Sequence, residues 1–521
     1  MELSSAYSIV LSLVLITFFT CAWKVLCLFW LKPRKLERCL RRQGLNGTSY
    51  SLLFQDLRDN TRMGKQAQSQ PITPFSNDVA PRLLPFFHHS IKKYGKLCFT
   101  WFGPTPVLTI MDSDMLKQIF SRINEFEKPH PKATEDLLVS GLIMIEGEKW
   151  VKHRKIIHPA FHYEKLKYVV TATCSSCEEM IRGWKKQSLA GEVDVWPDLQ
   201  HLTGDVLCRA AFGVTYNRVK SILPLQQEQI ALTNKILQFV FIPGWSLLPT
   251  KLRKRMKEIN CKVRGLLEDI VTKREKTMKE GRADDDDDLL GLLLKSNMKE
   301  IRESSDQKGM SMEDVIGECK AFNFAGQETT AVLLTWTLIL LSKYQKWQDR
   351  AREEVLQVFG NNKPDFDGSS RLKIVSMILN EVLRLYPPGL MMMRTVQKTT
   401  KLGDIQVRPG VVLFVPTILI HHDPEIWGDD AKEFNPERFS EGVSKATKKK
   451  LCFLPFSWGP RNCIGQNFSF TEAKVALTLI LQNFSMQLSP SYKHAPIPML
   501  TTHPQYGVPL TLTRIGSLDR I

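Results

Sequence analysis

The stretch Pro455 to Gln466, PFSWGPRNCIGQ, sets one cysteine, Cys463, among two glycines, an arginine and aromatic residues. A lone cysteine there could be a nucleophile, a structural thiol or a metal ligand. A nucleophile needs a base, usually a histidine brought near by the fold, and the local sequence names none. A buried structural thiol has no use for Gly459 and Gly465 around it. A metal-bound thiolate does, because backbone N–H groups must point at the sulfur, and glycines let the chain turn tightly enough to supply them.

The 521 residues, 43% of them apolar, can bury a large core, and no Pro/Gly/Ser-rich linker, repeat or low-complexity tract divides the interior. Lys and Arg number 71 against 54 acids, a formal charge of +17. That surplus favours acidic proteins, anionic membrane or nucleic acid. Zinc-finger spacing, aromatic nucleic-acid motifs and basic heptads are all missing, which argues against nucleic acid. Eleven scattered cysteines, an odd number, point to reduced thiols in a cytosol-like compartment. Cys174 and Cys177 form a CxxC, but with no second pair and no histidines at zinc spacing it reads as chance on an amphipathic helix.

Leu3 to Trp23 carries no charge, and about 20 apolar residues suffice for a helix to cross a bilayer. Lys32, Arg34, Lys35, Arg38, Arg41 and Arg42 follow, offset only by Glu37, and favour the cytoplasmic side. A cleaved signal peptide fits worse, since Glu2 is acidic and no small-x-small site precedes the basic cluster. The expectation is a single-pass anchor over residues 1–31, a basic linker and entry segment over 32–80, and a body over 81–521 facing the cytosol. The sequon Asn46-Gly47-Thr48 then never meets the lumenal machinery.

The body reads as mainly α with small β-sheets. KLCFTWFGPTPVLTIMD predicts strand, turn, strand, and the run ending AFNFAGQETTAVLLTWTLILLSKY predicts a long buried helix. KLGDIQVRPGVVLFVP and GVPLTLTRI predict strands, and the run Asp284 to Asp288 predicts a solvated loop.

Phe456-x-x-Gly459-x-Arg461-x-Cys463-x-Gly465 resembles the haem-binding loop of the cytochrome P450 superfamily, with every fixed position present. The resemblance implies a P450 fold behind one transmembrane helix. It also implies haem b held by the Cys463 thiolate, with Arg461 on a haem propionate and Phe456 beside the loop. EVLR and NPERF match the same superfamily in the same order and imply a buried Glu381–Arg384–Arg438 ion-pair network. AGQETT is similar to its oxygen-activation segment, where Gly326 would admit dioxygen and water and Glu328 and Thr329 would manage protons. Trp150 and Arg154 resemble the tryptophan and arginine that meet a propionate, and Arg394 stands where another propionate contact is often found. His153 and His158 read as ordinary polar or capping histidines, since sulfur already takes the axial position.

KHRKIIHPAF, WFGPTP and AREEVLQVFGNNKPDF look like the plant P450 family of secologanin synthase and several triterpenoid oxidases. The proline-rich hinge common after microsomal anchors is reduced here to Pro33. With no dinucleotide or flavin motif in the chain, the family implies O2 as co-substrate and electrons from NADPH through NADPH–cytochrome P450 reductase on the endoplasmic reticulum membrane. Lys448, Lys449 and Lys450 are either part of its docking surface or a solvated loop.

Phe126, FVFIPGW from Phe239, Phe322, Ala325, Leu390, Met391, Met392, Met393 and Tyr506 are expected at the substrate pocket. Their apolar character suits a rigid terpenoid. Triterpenoid or sterol hydroxylation, continuing in some cases to the aldehyde or acid, comes first by family analogy. Ring-opening oxidation of an iridoid comes second, and a membrane haem protein without turnover third.

Overall fold

The computed structural model describes residues 2–51, 55–129, 141–162, 166–213, 222–237, 250–280, 288–303, 309–447 and 451–515. The chain begins with α1 (Glu2–Leu26), whose apolar residues from Ile9 to Leu26 stand exposed. A bare apolar helix is what a bilayer accommodates, because lipid supplies the packing partners and the backbone bonds internally. One π-helical turn, Cys27–Leu31, leads without a break into α2 (Lys32–Arg42). Pro33 lies inside this continuous helix, just after the π-turn, whose wider bond from Lys32 N–H to Cys27 O loosens the ladder where proline has no N–H to donate. Helix therefore crosses the expected boundary at 31–32. The body then packs at once, with Leu36 and Leu40 buried and Tyr50 donating to the carbonyl of Phe29.

A five-stranded sheet follows, built from β1 (Asn46–Gly47), β2 (Cys98–Phe102), β3 (Thr105–Thr109), β4 (Met392–Thr395) and β5 (Val412–Val415). Its spatial order is β1-β2-β3-β5-β4, and β2 and β3 form the hairpin read from the sequence. The predicted C-terminal strand is Pro509–Arg514, which pairs with Phe484–Leu488 and Glu192–Asp194.

Helices make up most of the rest. Those that position the site are α3 (Gly147–Ile157), α4 (Lys167–Gln187), α5 (Val195–Phe212), α6 (Met312–Lys343), α7 (Lys373–Leu385) and α8 (Gln466–Asn483). Ser311 caps α6 through a reciprocal pair of bonds with Asp314, and most of its length is buried. At Gly326 a Cβ would lie 3.3 Å from Leu207 of α5, so a glycine there lets the two helices close on each other.

The pair Cys174 and Cys177 is buried on α4, each sulfur against a carbonyl, at 3.7 Å from Pro364 and 3.8 Å from Ala476. Burial pushes Cys174 up to about 11, and Cys177 higher, so both are packing thiols. Asp288 departs from the solvated reading: it is 8% exposed, paired with Arg274, and accepts the Gly291 N–H at 2.8 Å where a helix begins. A guanidinium and a helix N-terminus together stabilise a carboxylate that burial would otherwise disfavour. Asp284–Asp287, Lys448–Lys450 and the FVFIPGW segment lie outside the described residues.

Candidate active site

The cysteine loop is closed by two backbone bonds, Cys463 N–H to Phe456 O at 2.8 Å and Asn462 N–H to Gly459 O at 3.0 Å. Gly459 has φ +76°, and a Cβ there would fall 2.5 Å from the carbonyl oxygen of Phe120, so only glycine fits. Gly465 plays a different part. Its backbone is ordinary and a Cβ would sit 4.0 Å from Cys463 Sγ, a normal contact. What the position supplies is its N–H, bonded to the sulfur.

Cys463 lies deep among protein atoms, yet its side chain opens onto a cavity and is exposed to it. Burial pushes the thiol up, while the Gly465 N–H and the charge of Arg154 pull it back down. α8 starts three residues later, so the sulfur also lies near a helix N-terminus, where an anion is favoured.

The cavity holds about 980 Å³ of atom-free space, mouth included, and its wall is mostly apolar: Leu142, Ile143, Phe161, Leu207, Phe322, Ala325, Phe456, Ile464 and Phe468. Phe322 and Ala325, two of the residues expected at the substrate pocket, line this cavity. Among the described residues, the other expected pocket residues are not in this wall. Leu390 is buried in the core and Met391 is 39% exposed. Met392 and Met393 belong to β4, paired with β5, and Phe126 is buried with the Arg122 guanidinium over its ring. Tyr506 is 44% exposed, with the Lys493 ammonium over its ring.

Four cations gather beside the sulfur end of the cavity. Arg461 donates to Ile145 O at 3.0 Å, pairs with Glu146, and lies 4.3 Å from the centre of the Trp150 ring. Arg154 braces the cysteine loop, donating to Asn462 O at 3.0 Å and Oδ1 at 2.9 Å. Arg394 donates to Met393 O and stacks over Phe120, and burial together with Arg461 lowers it to about 10. Lys128 was not singled out by any motif. It donates to Ile143 O at 2.8 Å, and burial with Arg394 and Arg461 nearby lowers it to about 7, against the opposing pull of Glu146.

Among the described residues, Lys128, Arg394 and Arg461 have Glu146 as their shared carboxylate, with Glu127 acting on Arg461 alone, which leaves positive charge to be matched. A haem offers two carboxylates, a flat apolar ring and an iron that accepts one thiolate. The donor set fits that group.

On the opposite side, Thr329 lines the cavity with its hydroxyl donating to Ala325 O at 2.7 Å. Thr330 lines the same cavity, with its hydroxyl bonded to Ser469 of α8 at 3.0 Å. Glu328 does not line the cavity. It meets His503 and Thr501, the latter at 2.7 Å, on β7 (Thr502–Pro504) and the residue before it; β7 pairs with β6 (Pro496–Pro498). Burial raises this carboxyl, but the bonds from His503, Thr501 and Gln200 and the charge of His503 overcome that and hold it below its ordinary value.

Glu381, Arg384 and Arg438 come together. Arg384 makes two 2.7 Å bonds to Glu381, both side chains fully buried, and Arg438 lies 3.5 Å from the same carboxylate. Arg384 also donates to His421 O at 2.9 Å, so the pair stitches α7 to the segment leading toward the cysteine loop. His153, read as an ordinary polar residue, is buried and bonded to Glu318 of α6 at 2.6 Å. His158 is exposed.

The sequence profile of the cytochrome P450 family matches residues 80–509. The chain belongs to the cytochrome P450 family. This P450 is 52% identical to cytochrome P450 72A397 of Kalopanax septemlobus over 95% of both chains. It is 47% identical to cytochrome P450 72A15 of Arabidopsis thaliana over 99% of this chain and all of that one. It is also 49% identical to 11-oxo-beta-amyrin 30-oxidase of Glycyrrhiza uralensis, over 93% of this chain and 94% of that one. Retinoic-acid-bound cyanobacterial CYP120A1 shares the P450 fold with a TM-score of 0.71 at 22% identity, covering 82% of this chain and 94% of that one. As a P450 monooxygenase the protein uses a haem-thiolate cofactor, O2 and reductase-supplied electrons. Its N-terminal apolar helix fits a membrane anchor.

Proposed function

We propose that this P450 hydroxylates a rigid hydrophobic terpenoid, a triterpenoid or sterol, at the cytosolic face of the endoplasmic reticulum, with NADPH–cytochrome P450 reductase as electron donor. The observation that carries the reading is one apolar cavity onto which both Cys463 and Thr329 open, in a chain half identical to an oxidase named for a β-amyrin derivative.

Haem, once held by Cys463, supplies the activation of dioxygen. The Gly465 N–H and Arg154 favour the thiolate, and Lys128, Arg394 and Arg461 would hold the haem carboxylates, with Trp150 stacked on Arg461. The apolar wall from Leu142 to Phe468 excludes water and takes up the hydrocarbon face of the substrate. Thr329 is the hydroxyl placed to hold a proton at the reacting end, while Glu328 is reached from the other side of α6. Glu381, Arg384 and Arg438 keep the segment before the cysteine loop in place. α1 holds the body at the membrane, where hydrophobic substrates concentrate, and the basic surplus suits an acidic reductase.

Microsomes containing this chain and a reductase, fed candidate terpenoids and read by mass spectrometry, test the reading. A hydroxylated triterpenoid or sterol formed only with NADPH supports it. A ring-opened iridoid would replace the substrate class, product without NADPH would overturn the monooxygenase chemistry, and tight binding with no turnover would make the protein a carrier. Cys463→His should abolish the red-shifted thiolate band of the reduced carbon monoxide complex, and an unchanged band would mean another ligand.

A further inference from the structure

One carboxylate at the cavity has no part in the chemistry above. Glu318 lies on α6 about three turns ahead of Thr329 and is fully buried at the edge of the same cavity. Its Oε1 meets His153 Nδ1 of α3 at 2.6 Å, and its Oε2 accepts the Leu142 N–H at 3.0 Å. Behind His153 stand Asp314, 3.8 Å from its other nitrogen, and Lys149, 2.7 Å from Asp314.

Gly141 closes over the carboxylate with φ +65°, and a Cβ on it would fall 2.5 Å from Glu318 Oε2. Three pieces of the fold thus meet on one side chain: the central helix, α3, and the short turn Gly141–Ile143. A buried carboxylate held by fixed donors is hard to displace, so the turn cannot slide along the helix without breaking those bonds.

The turn bears directly on the cavity, because Leu142 and Ile143 are both wall residues. Its far end is fixed as well. Lys128 holds Ile143 O at 2.8 Å and Arg461 holds Ile145 O at 3.0 Å. The wall segment is therefore hung between Glu318 and the cations that would clamp the haem, with Gly141 as its tightest point.

We propose that Glu318, with His153, is a specificity-determining positioning residue: it sets how far Leu142 and Ile143 stand into the cavity, and so which rigid hydrophobic molecules fit there. The inference rests on the reading of the cavity as the substrate site.

The test uses the full-length, haem-loaded protein. Spectral titrations of the haem spin state give the affinities of a pentacyclic triterpenoid and of a small monocyclic terpenoid for wild type, Glu318→Leu, Glu318→Gln and Gly141→Ala. Hydrogen exchange of the peptide spanning 141–145 reads the Leu142 bond itself. Glu318→Leu and Gly141→Ala should each change the ratio of the two affinities by about tenfold, the scale of a methylene gained or lost in an apolar pocket. Glu318→Leu should speed exchange at Leu142 by about tenfold, while Glu318→Gln, which keeps an acceptor there, should stay near wild type.

The thiolate band of the carbon monoxide complex should survive in all of them, which sets the effect apart from a damaged haem site. Unchanged ratios in a wild-type-like background overturn the proposal. A wild type that shows no spin shift with either terpenoid overturns the reading of the cavity and this inference with it. Should Glu318→Leu carry no haem, Gly141→Ala reads the same ratio with the carboxylate intact.

Discussion

Glu328 closes on the imidazole of His503, a partner 175 residues further along the chain, and in doing so faces away from the cavity that its neighbour Thr329 lines. The contact joins the central helix to the β6–β7 hairpin and leaves His503 partly open to solvent. Because the fold lowers the carboxyl of Glu328 below its ordinary 4.5, the stabilisation is present in full above that value and disappears as pH falls through the lowered one. His503→Leu should therefore lower unfolding free energy by about 2 kcal/mol at pH 7, the scale of a hydrogen bond to a charged group, with a smaller loss in strong acid. Urea melts at the two pH values check this. An equal loss at both would show that the pair is not ionic.

Thr329 and Thr330 are adjacent, chemically alike and both on the cavity wall, yet Thr330 gives its hydroxyl to Ser469 of α8 while Thr329 bonds within its own helix. Thr329→Ala should leave the thiolate band of the carbon monoxide complex intact, reduce product formed per NADPH several-fold, and raise peroxide release to match. Thr330→Ala removes a bond to Ser469 and should lower stability by about 1 kcal/mol with coupling unchanged. Parallel measurement of NADPH consumption, product and peroxide separates the two. Equal uncoupling in both would take the proton role away from Thr329.

Much of this was legible in the sequence, for identifiable reasons. The long helix, the β2–β3 hairpin and the C-terminal strand announce themselves through apolar length and alternation, and the cysteine loop through residue types at fixed spacing. The direction of Glu328 was not legible, because helical spacing sets it as far round from Thr329 as Thr330, which does line the cavity, and its partners Thr501 and His503 lie far along the chain. Nor were Lys128 and the Glu318–His153 pair, because each acquires its meaning from residues distant in the chain, with no local spacing to mark them. The methionines Met391 to Met393 suited a pocket by composition, whereas their places are set by the pairing of β4 with β5 and the exposure of Met391, which composition does not show. Asp288 was averaged into a run of like charge, whereas the Arg274 guanidinium and the helix N-terminus at Gly291 together stabilise it where it is buried.

Glu381 and Arg384 are a buried pair with no exposure of either side chain, so removing one strands the other. Glu381→Ala leaves the Arg384 guanidinium in the core with only backbone carbonyls, and breaking such a pair costs about 3–5 kcal/mol. The variant should express poorly and carry little haem. Arg384→Lys should do nearly as badly, because an ammonium cannot make the two parallel 2.7 Å bonds to Glu381. Haem content per polypeptide and the urea midpoint check both, and full haem loading in either variant would contradict the importance given to the pair.

His421 uses its two ring nitrogens in opposite senses, Nδ1–H donating to Arg384 O at 3.2 Å and Nε2 accepting the Leu454 N–H at 2.9 Å. Only the neutral ring can do both. Burial, the charge of Arg384 and the neighbouring His422 lower it from 6.5 to about 3. The unfolded chain thus takes up a proton below pH 6.5 that the folded chain refuses until about pH 3, so stability falls as pH drops across that window, by about 1.4 kcal/mol per pH unit for one such group. Leu454 opens the run into the cysteine loop, which places the first damage at the haem ligand. His421→Gln keeps a donor and an acceptor but has no proton to gain. Its urea midpoint should therefore fall less steeply than that of wild type between pH 6 and pH 5, and its thiolate band should persist to lower pH; identical slopes would mean that His421 is already charged in the folded protein.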